Sequence, residues 1–148
     1  MSMQSWTELG YGIPLNCGDN IEAIKKFICE NTRSDSENPR LRLTDEVKAA
    51  IMACNDTEAI YDAAYNWASS IVADIINDKE GTTLFRGYGS CGDTDQEEMI
   101  GAEPLYPWMM NEKDMTLTEE RVDEILVKYA GILGIDEEPY SFNAAYYG

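Results

Sequence analysis

The stretch "TEAIYDAAYNWASSIVADIIN", residues 57–77, carries the clearest periodicity in the chain. Ile60, Tyr61, Ala64, Trp67, Ala68, Ile71, Val72, Ile75 and Ile76 recur at intervals of three and four, the spacing that gathers side chains on one face of an α-helix. Gly81 follows, the residue type that best closes a helix because it accepts a left-handed backbone. The pattern predicts one amphipathic helix of about six turns. Its alternation of alanine with large residues suits a central element against which others pack.

Toward the N-terminus, "CNDTEA" restarts this helix after a shorter one. Thr44 is placed to cap that shorter helix, Asp45 and Glu46 sit in its first turn, and Val47, Ala50, Ile51 and Cys54 are its inward positions. Residues 31–40, "NTRSDSENPR", read as a solvent loop. Before it, Asp19 or Asn20 can cap a helix with Ile21, Ile24, Phe27 and Ile28 at helical spacing. The opening "SWTELGYGIPL" reads as a short extended segment or a turn.

Toward the C-terminus, "TTLFRGYG" (82–89) is rich in β-forming residues, and "EEMIGAEPLY" (97–106) supplies a second strand that returns to pair with it. Thr116 or Thr118 caps a last helix, with Val122, Ile125, Leu126, Tyr129 and Leu133 inward and Gly134 at its end. The aromatic tail, Tyr140, Phe142, Tyr146 and Tyr147, is expected to dock on the body. The expectation is a mainly helical α+β fold over residues 1–148 as a single domain, with about four helices and a small antiparallel sheet.

Charge is the strongest global signal. Against 11 Lys and Arg stand 28 Asp and Glu, a net charge of −17 and a pI near 4.1. Such a surface repels nucleic acid and anionic membrane, and the partners it favours are basic. Between Asp93 and Glu138 there are 14 acids and 3 bases, the densest part of that charge. No apolar run approaches the roughly 20 residues that a membrane helix needs, and "MSMQSWTELGYGIP" lacks the basic start and apolar run of a secretory signal. A cytoplasmic location is therefore expected. Cys17, Cys29, Cys54 and Cys91 form no C-x-x-C pair and read as reduced, mostly buried thiols.

The chain has no histidine, which removes the usual general base near neutral pH and with it Ser-His-Asp and Cys-His catalysis. "GYGSCGDTDQEE" (87–98) holds G-x-G-x-x-G at Gly87, Gly89 and Gly92. A dinucleotide cradle also needs a helix whose N-terminus faces the phosphate. Here Asp93, Asp95, Glu97 and Glu98 follow instead, and no G-K-[ST] completes a P-loop. As a calcium loop the segment begins D-x-D-x-E but offers Glu98 and Pro104 where an EF-hand takes Gly and Glu. It remains open between a solvated acidic turn and a weak divalent-cation loop.

A second acidic cluster, Glu119, Glu120, Asp123 and Glu124, opens the last helix. Its pairs at i and i+4 repel by about 0.2–0.5 kcal/mol each, while acids in the first turns gain about 0.3–1 kcal/mol from the helix dipole. Neighbours on a helix face lie about 5–6 Å apart, close to the spacing of successive phosphates. A row of carboxylates there can occupy a phosphate-binding site. Asp136, Glu137 and Glu138 extend the cluster beyond the helix. Between the two clusters, "EPLYPWMMNEKDM" (103–115) places Trp108 among methionines, read either as core or as an apolar anchor rimmed by acids.

In its short length, acidity, lack of a catalytic constellation and "SWTELGYGI" opening, the chain resembles the small acidic proteins of phages and mobile elements, among them anti-CRISPR and anti-restriction inhibitors. That resemblance implies a non-enzymatic inhibitor or adaptor. It would block the basic, nucleic-acid-binding surface of a host defence nuclease by phosphate mimicry, with no cofactor and no direct contact to nucleic acid or membrane. The expected partner-binding residues are Asp93, Asp95, Glu97, Glu98, Trp108, Glu119, Glu120, Asp123, Glu124, Asp136, Glu137 and Glu138. A structural acidic domain without mimicry, and a weak metal-binding protein or small enzyme, are the alternatives.

Overall fold

Strand β1 (Leu9–Pro14) is the centre of a four-stranded antiparallel sheet in a computed structural model that describes residues 9–15, 19–89, 98–102 and 118–143. Its neighbours are β3 (Met99–Ala102) and β4 (Tyr140–Asn143), and β2 (Phe85–Tyr88) pairs with the far side of β3. The order is β2-β3-β1-β4, with Ile13 opposite Ile100, Gly12 opposite Gly101 and Tyr11 opposite Ser141. The opening segment is thus a central strand, and the start of the aromatic tail is the edge strand beside it. Phe142 is buried and packs edge-to-face on Tyr88 at 5.0 Å. Residues 144–148, with Tyr146 and Tyr147, lie outside the described residues.

Among the described residues five helices accompany the sheet: α1 (Ile21–Glu30), α2 (Asp45–Met52), α3 (Thr57–Ala64), α4 (Ala68–Glu80) and α5 (Glu119–Ile132). Thr44 caps α2 by accepting from the Val47 N–H at 3.1 Å, and Thr118 caps α5 by accepting from the Arg121 N–H at 3.1 Å. A 3₁₀ turn at Pro39–Leu41 closes the polar loop. Asn20 precedes α1 but makes no side-chain cap; its buried amide instead donates to the carbonyls of Leu15 (2.7 Å) and Leu133 (3.0 Å), tying the end of β1 to the end of α5. The core lies between α4, the sheet and the inner faces of α1 and α5. Ile13, Ile24, Ile28, Val72, Ile76, Ile100 and Leu126 are all fully buried there. The fold is the small α+β domain that the pattern predicts.

The long helix over residues 57–77 is divided in two. Tyr65 closes α3 with φ 55°, and its N–H still bonds the Tyr61 carbonyl at 2.8 Å. Tyr65 is the only non-glycine residue with positive φ among those described. Asn66 accepts from the Trp67 N–H at 3.0 Å, the local side-chain bond by which asparagine competes with the helical ladder. Trp67 is extended, and α4 starts anew at Ala68. The cap of α4 comes from a remote segment: Glu98, buried just before β3, accepts from the Ser69 N–H at 3.0 Å across 29 residues. That partner is invisible to local periodicity. Tyr61, an inward position of the continuous helix, is accordingly 40% exposed and leans on Trp67 with ring centroids 4.6 Å apart.

Gly87 and Gly89 of the G-x-G-x-x-G stretch serve packing, and Gly92 lies outside the described residues. A Cβ on Gly87 would collide with the backbone of Ser69 and Ser70, so the glycine lets β2 close on the first turn of α4. A Cβ on Gly89 would enter the Trp67 ring. Close approach of backbones is the reason at Gly87, as is common for glycine within strands, and room for an aromatic ring is the reason at Gly89.

Candidate functional site

The described residues bring part of the acidic set together and remove one member. Glu98, expected among the partner-binding acids, is only 3% exposed and is spent on the α4 N-terminus, where the helix dipole favours a carboxylate. It is part of the core's wiring, not of the acidic surface. Asp93, Asp95, Glu97 and Trp108 lie outside the described residues.

The remaining acids concentrate around α5. A groove of about 460 Å³ is lined by Tyr11 of β1, Asp123, Val127 and Gly131 of α5, and Ile135 to Glu138 of the segment that leads into β4. Asp123, Asp136, Glu137 and Glu138 therefore share one concavity, although the segments that carry them are separated by the C-terminal half of α5. The i, i+4 row Glu119, Asp123, Val127 and Gly131 runs along the same flank of the helix. Glu119 and Glu120 are exposed at its N-terminal end. Glu124 is exposed too, but it pairs with Arg121 at 3.1 Å. Val127 is 50% exposed and puts an apolar surface among the carboxylates.

Tyr11 organises the groove. Its hydroxyl donates to Asp123 Oδ1 at 2.5 Å, fixing one carboxylate on the sheet side. The hydrogen bond to Asp123, helped by desolvation and by the charges of Asp123 and Glu138, raises the Tyr11 phenol above its ordinary value. The hydroxyl therefore stays a proton donor through the neutral range. Tyr11 is not among the residues expected from sequence, because nothing local in "LGYGIP" ties it to a helix more than a hundred residues away.

No protein-family model, curated protein or solved structure matches the chain. The groove must be read from its own chemistry. Among the described residues no cluster of three or more His, Cys, Asp or Glu side chains is arranged to hold a metal ion. Cys29 and Cys54 are free thiols that burial pushes above the ordinary cysteine value, against the nearby lysines that pull it down. Protonated thiols are poor nucleophiles. No helix among the described residues is long and apolar enough to cross a membrane.

Proposed function

We propose that the protein is a non-enzymatic binding protein whose α5 flank engages a basic protein surface, one that otherwise holds a nucleic acid backbone. The observation that carries this reading is the convergence of Asp123, Asp136, Glu137 and Glu138 on one groove beside the exposed Val127, with Glu119 and Glu120 continuing the row. Carboxylates in a concave site supply complementary charge and orientation, while an apolar patch supplies the part of the affinity that salt does not screen. The sharper form, an inhibitor that blocks a host defence nuclease by phosphate mimicry, takes its content from the resemblance in size and charge to anti-CRISPR and anti-restriction proteins.

The test is capture of partners from a host lysate at low and high salt, followed by titration of the captured protein against purified chain. Binding should weaken as salt rises, and DNA or RNA should compete. A chain with Glu119, Glu120, Asp136, Glu137 and Glu138 changed to Lys should lose the partner while keeping its circular dichroism spectrum, because all five are exposed. Binding that survives this reversal, or that nucleic acid does not displace, overturns the reading.

A further inference from the structure

The opposite flank of α5 carries the reverse charge. Lys26 of α1, Lys79 of α4 and Lys128 of α5 line a second groove of about 790 Å³. The chain has six lysines, so half of them meet at this one place in a protein of net charge −17. Two others are used internally: Lys25 donates to the carbonyls of Met52 and Cys54, and Lys48 to that of Thr32.

The lysines of the groove are only partly neutralised. Its acids are Glu30 and Glu80. Glu30 lies 4.0 Å from Lys26 with both side chains more than half exposed, a geometry of little energetic value. Glu80 is claimed by Lys128 at 3.0 Å, by the Tyr129 hydroxyl at 2.8 Å and by Arg121 at 3.5 Å. Lys79 makes no salt bridge among the described residues, and three ammonium groups face two carboxylates. Beside them the groove offers apolar surface at Ile132, 49% exposed, and at the half-buried Ala23, backed by the buried edge-to-face pair of Phe27 and Tyr129 at 6.0 Å.

We infer that this groove binds a small amphipathic anion, a single carboxylate or sulfonate head carried on an apolar body. The head would meet Lys26 and Lys79, and the body would cover Ile132 and Ala23. The volume falls in the range of ligand pockets, roughly 300–1,000 Å³. The acids elsewhere on the surface do not forbid it, since at physiological salt charges are screened beyond about 8 Å. They do forbid a long polyanion, which would run from the lysines onto acidic surface. A nucleic acid strand is thereby excluded where a monoanion of a few ångströms is not. This inference uses the flank of α5 away from the acidic groove and stands independently of the proposed partner.

Octanoate is a suitable probe, followed by amide chemical shifts of the full chain. Shifts should saturate with a Kd of about 0.1–1 mM, the range for a ligand of roughly ten heavy atoms, and should centre on α1, the end of α4 and the second half of α5. The double variant Lys26→Gln with Lys79→Gln, both on exposed positions, should keep the fold and weaken octanoate about tenfold or more. Neutral 1-octanol and inorganic phosphate should each bind far more weakly, since each lacks one half of the pharmacophore. Unchanged affinity in the double variant, equal binding of 1-octanol, or shifts centred on the acidic groove would each overturn the assignment.

Discussion

The Tyr129 hydroxyl donates to Glu80 at 2.8 Å, joining the C-terminal end of α4 to the last turn of α5. Burial alone would push the Glu80 carboxyl up, but the hydrogen bonds from Lys128 and Tyr129, with the charges of Lys128 and Arg121, outweigh it and hold the group below the usual glutamate value. Tyr129 moves the other way. Burial and the bond to Glu80 hold its phenol well above the ordinary tyrosine value.

Replacing Glu80 by Gln should cost about 1–3 kcal/mol at neutral pH, because charge-assisted bonds are exchanged for weaker neutral ones. A carboxylate depressed in the folded state contributes stability that is present above its unfolded value, about 4.3, and is lost as pH falls through the lower folded value. The gap between wild type and Glu80→Gln in urea melts should therefore be full at pH 7 and close on acidification below about pH 4. A gap that stays constant down to pH 3 would show that the charge on Glu80 contributes nothing.

The left-handed Tyr65 stores backbone strain, since an L-residue pays about 1–2 kcal/mol in that region and glycine does not. Its side chain is 90% exposed and has little packing to lose. Tyr65→Gly should be more stable than Tyr65→Ala by about 1 kcal/mol, the two differing only in the Cβ. Equal midpoints on thermal melting would place the break between α3 and α4 elsewhere.

Acids of the two sequence clusters should separate by role. Glu98→Ala removes a buried cap of α4 and should cost about 1–3 kcal/mol. Glu119→Ala and Glu120→Ala, on exposed positions, should each change stability by less than about 1 kcal/mol. Denaturant melts of the three variants decide this; comparable losses in all three would return Glu98 to the surface set.

Two glycines should respond with opposite sign. Gly87→Ala drives a Cβ into the backbone of Ser69 and Ser70, which cannot yield as a side chain could, and should cost about 1–3 kcal/mol or more. Gly131 lies within α5 with open space around its Cβ position, so Gly131→Ala should stabilise by about 0.5–1 kcal/mol. Paired thermal melts read both, and a tolerated Gly87→Ala would contradict the close approach of β2 to α4.

The helices were legible because their signals are local. Thr44 and Thr118 cap from three residues away, the apolar period of α5 needs no partner to be seen, and Gly134, with φ 70°, follows that helix where the pattern ends. The break at Tyr65 was not, because the residues on either side keep the helical period and part of the stabilisation comes from Glu98, a remote carboxylate. The candidate site was half legible for the same reason. Acidity placed Asp123, Asp136, Glu137 and Glu138 on the list, but Tyr11 and Val127 belong to the groove only through the packing of β1 beside α5.

By itself the amino-acid sequence determined the fold class, the absence of histidine chemistry and the concentration of negative charge toward the C-terminal half, all of which depend on composition or on neighbours within a few residues. The tertiary structure alone decided which carboxylates face solvent and which are consumed inside. It set Glu98 against the α4 N-terminus and Glu80 against Tyr129, and it assembled an acidic groove on one flank of α5 and a lysine groove on the other. The physical reason is that a carboxylate's cost and use depend on the donors and solvent around it, and those are supplied by residues distant in the chain.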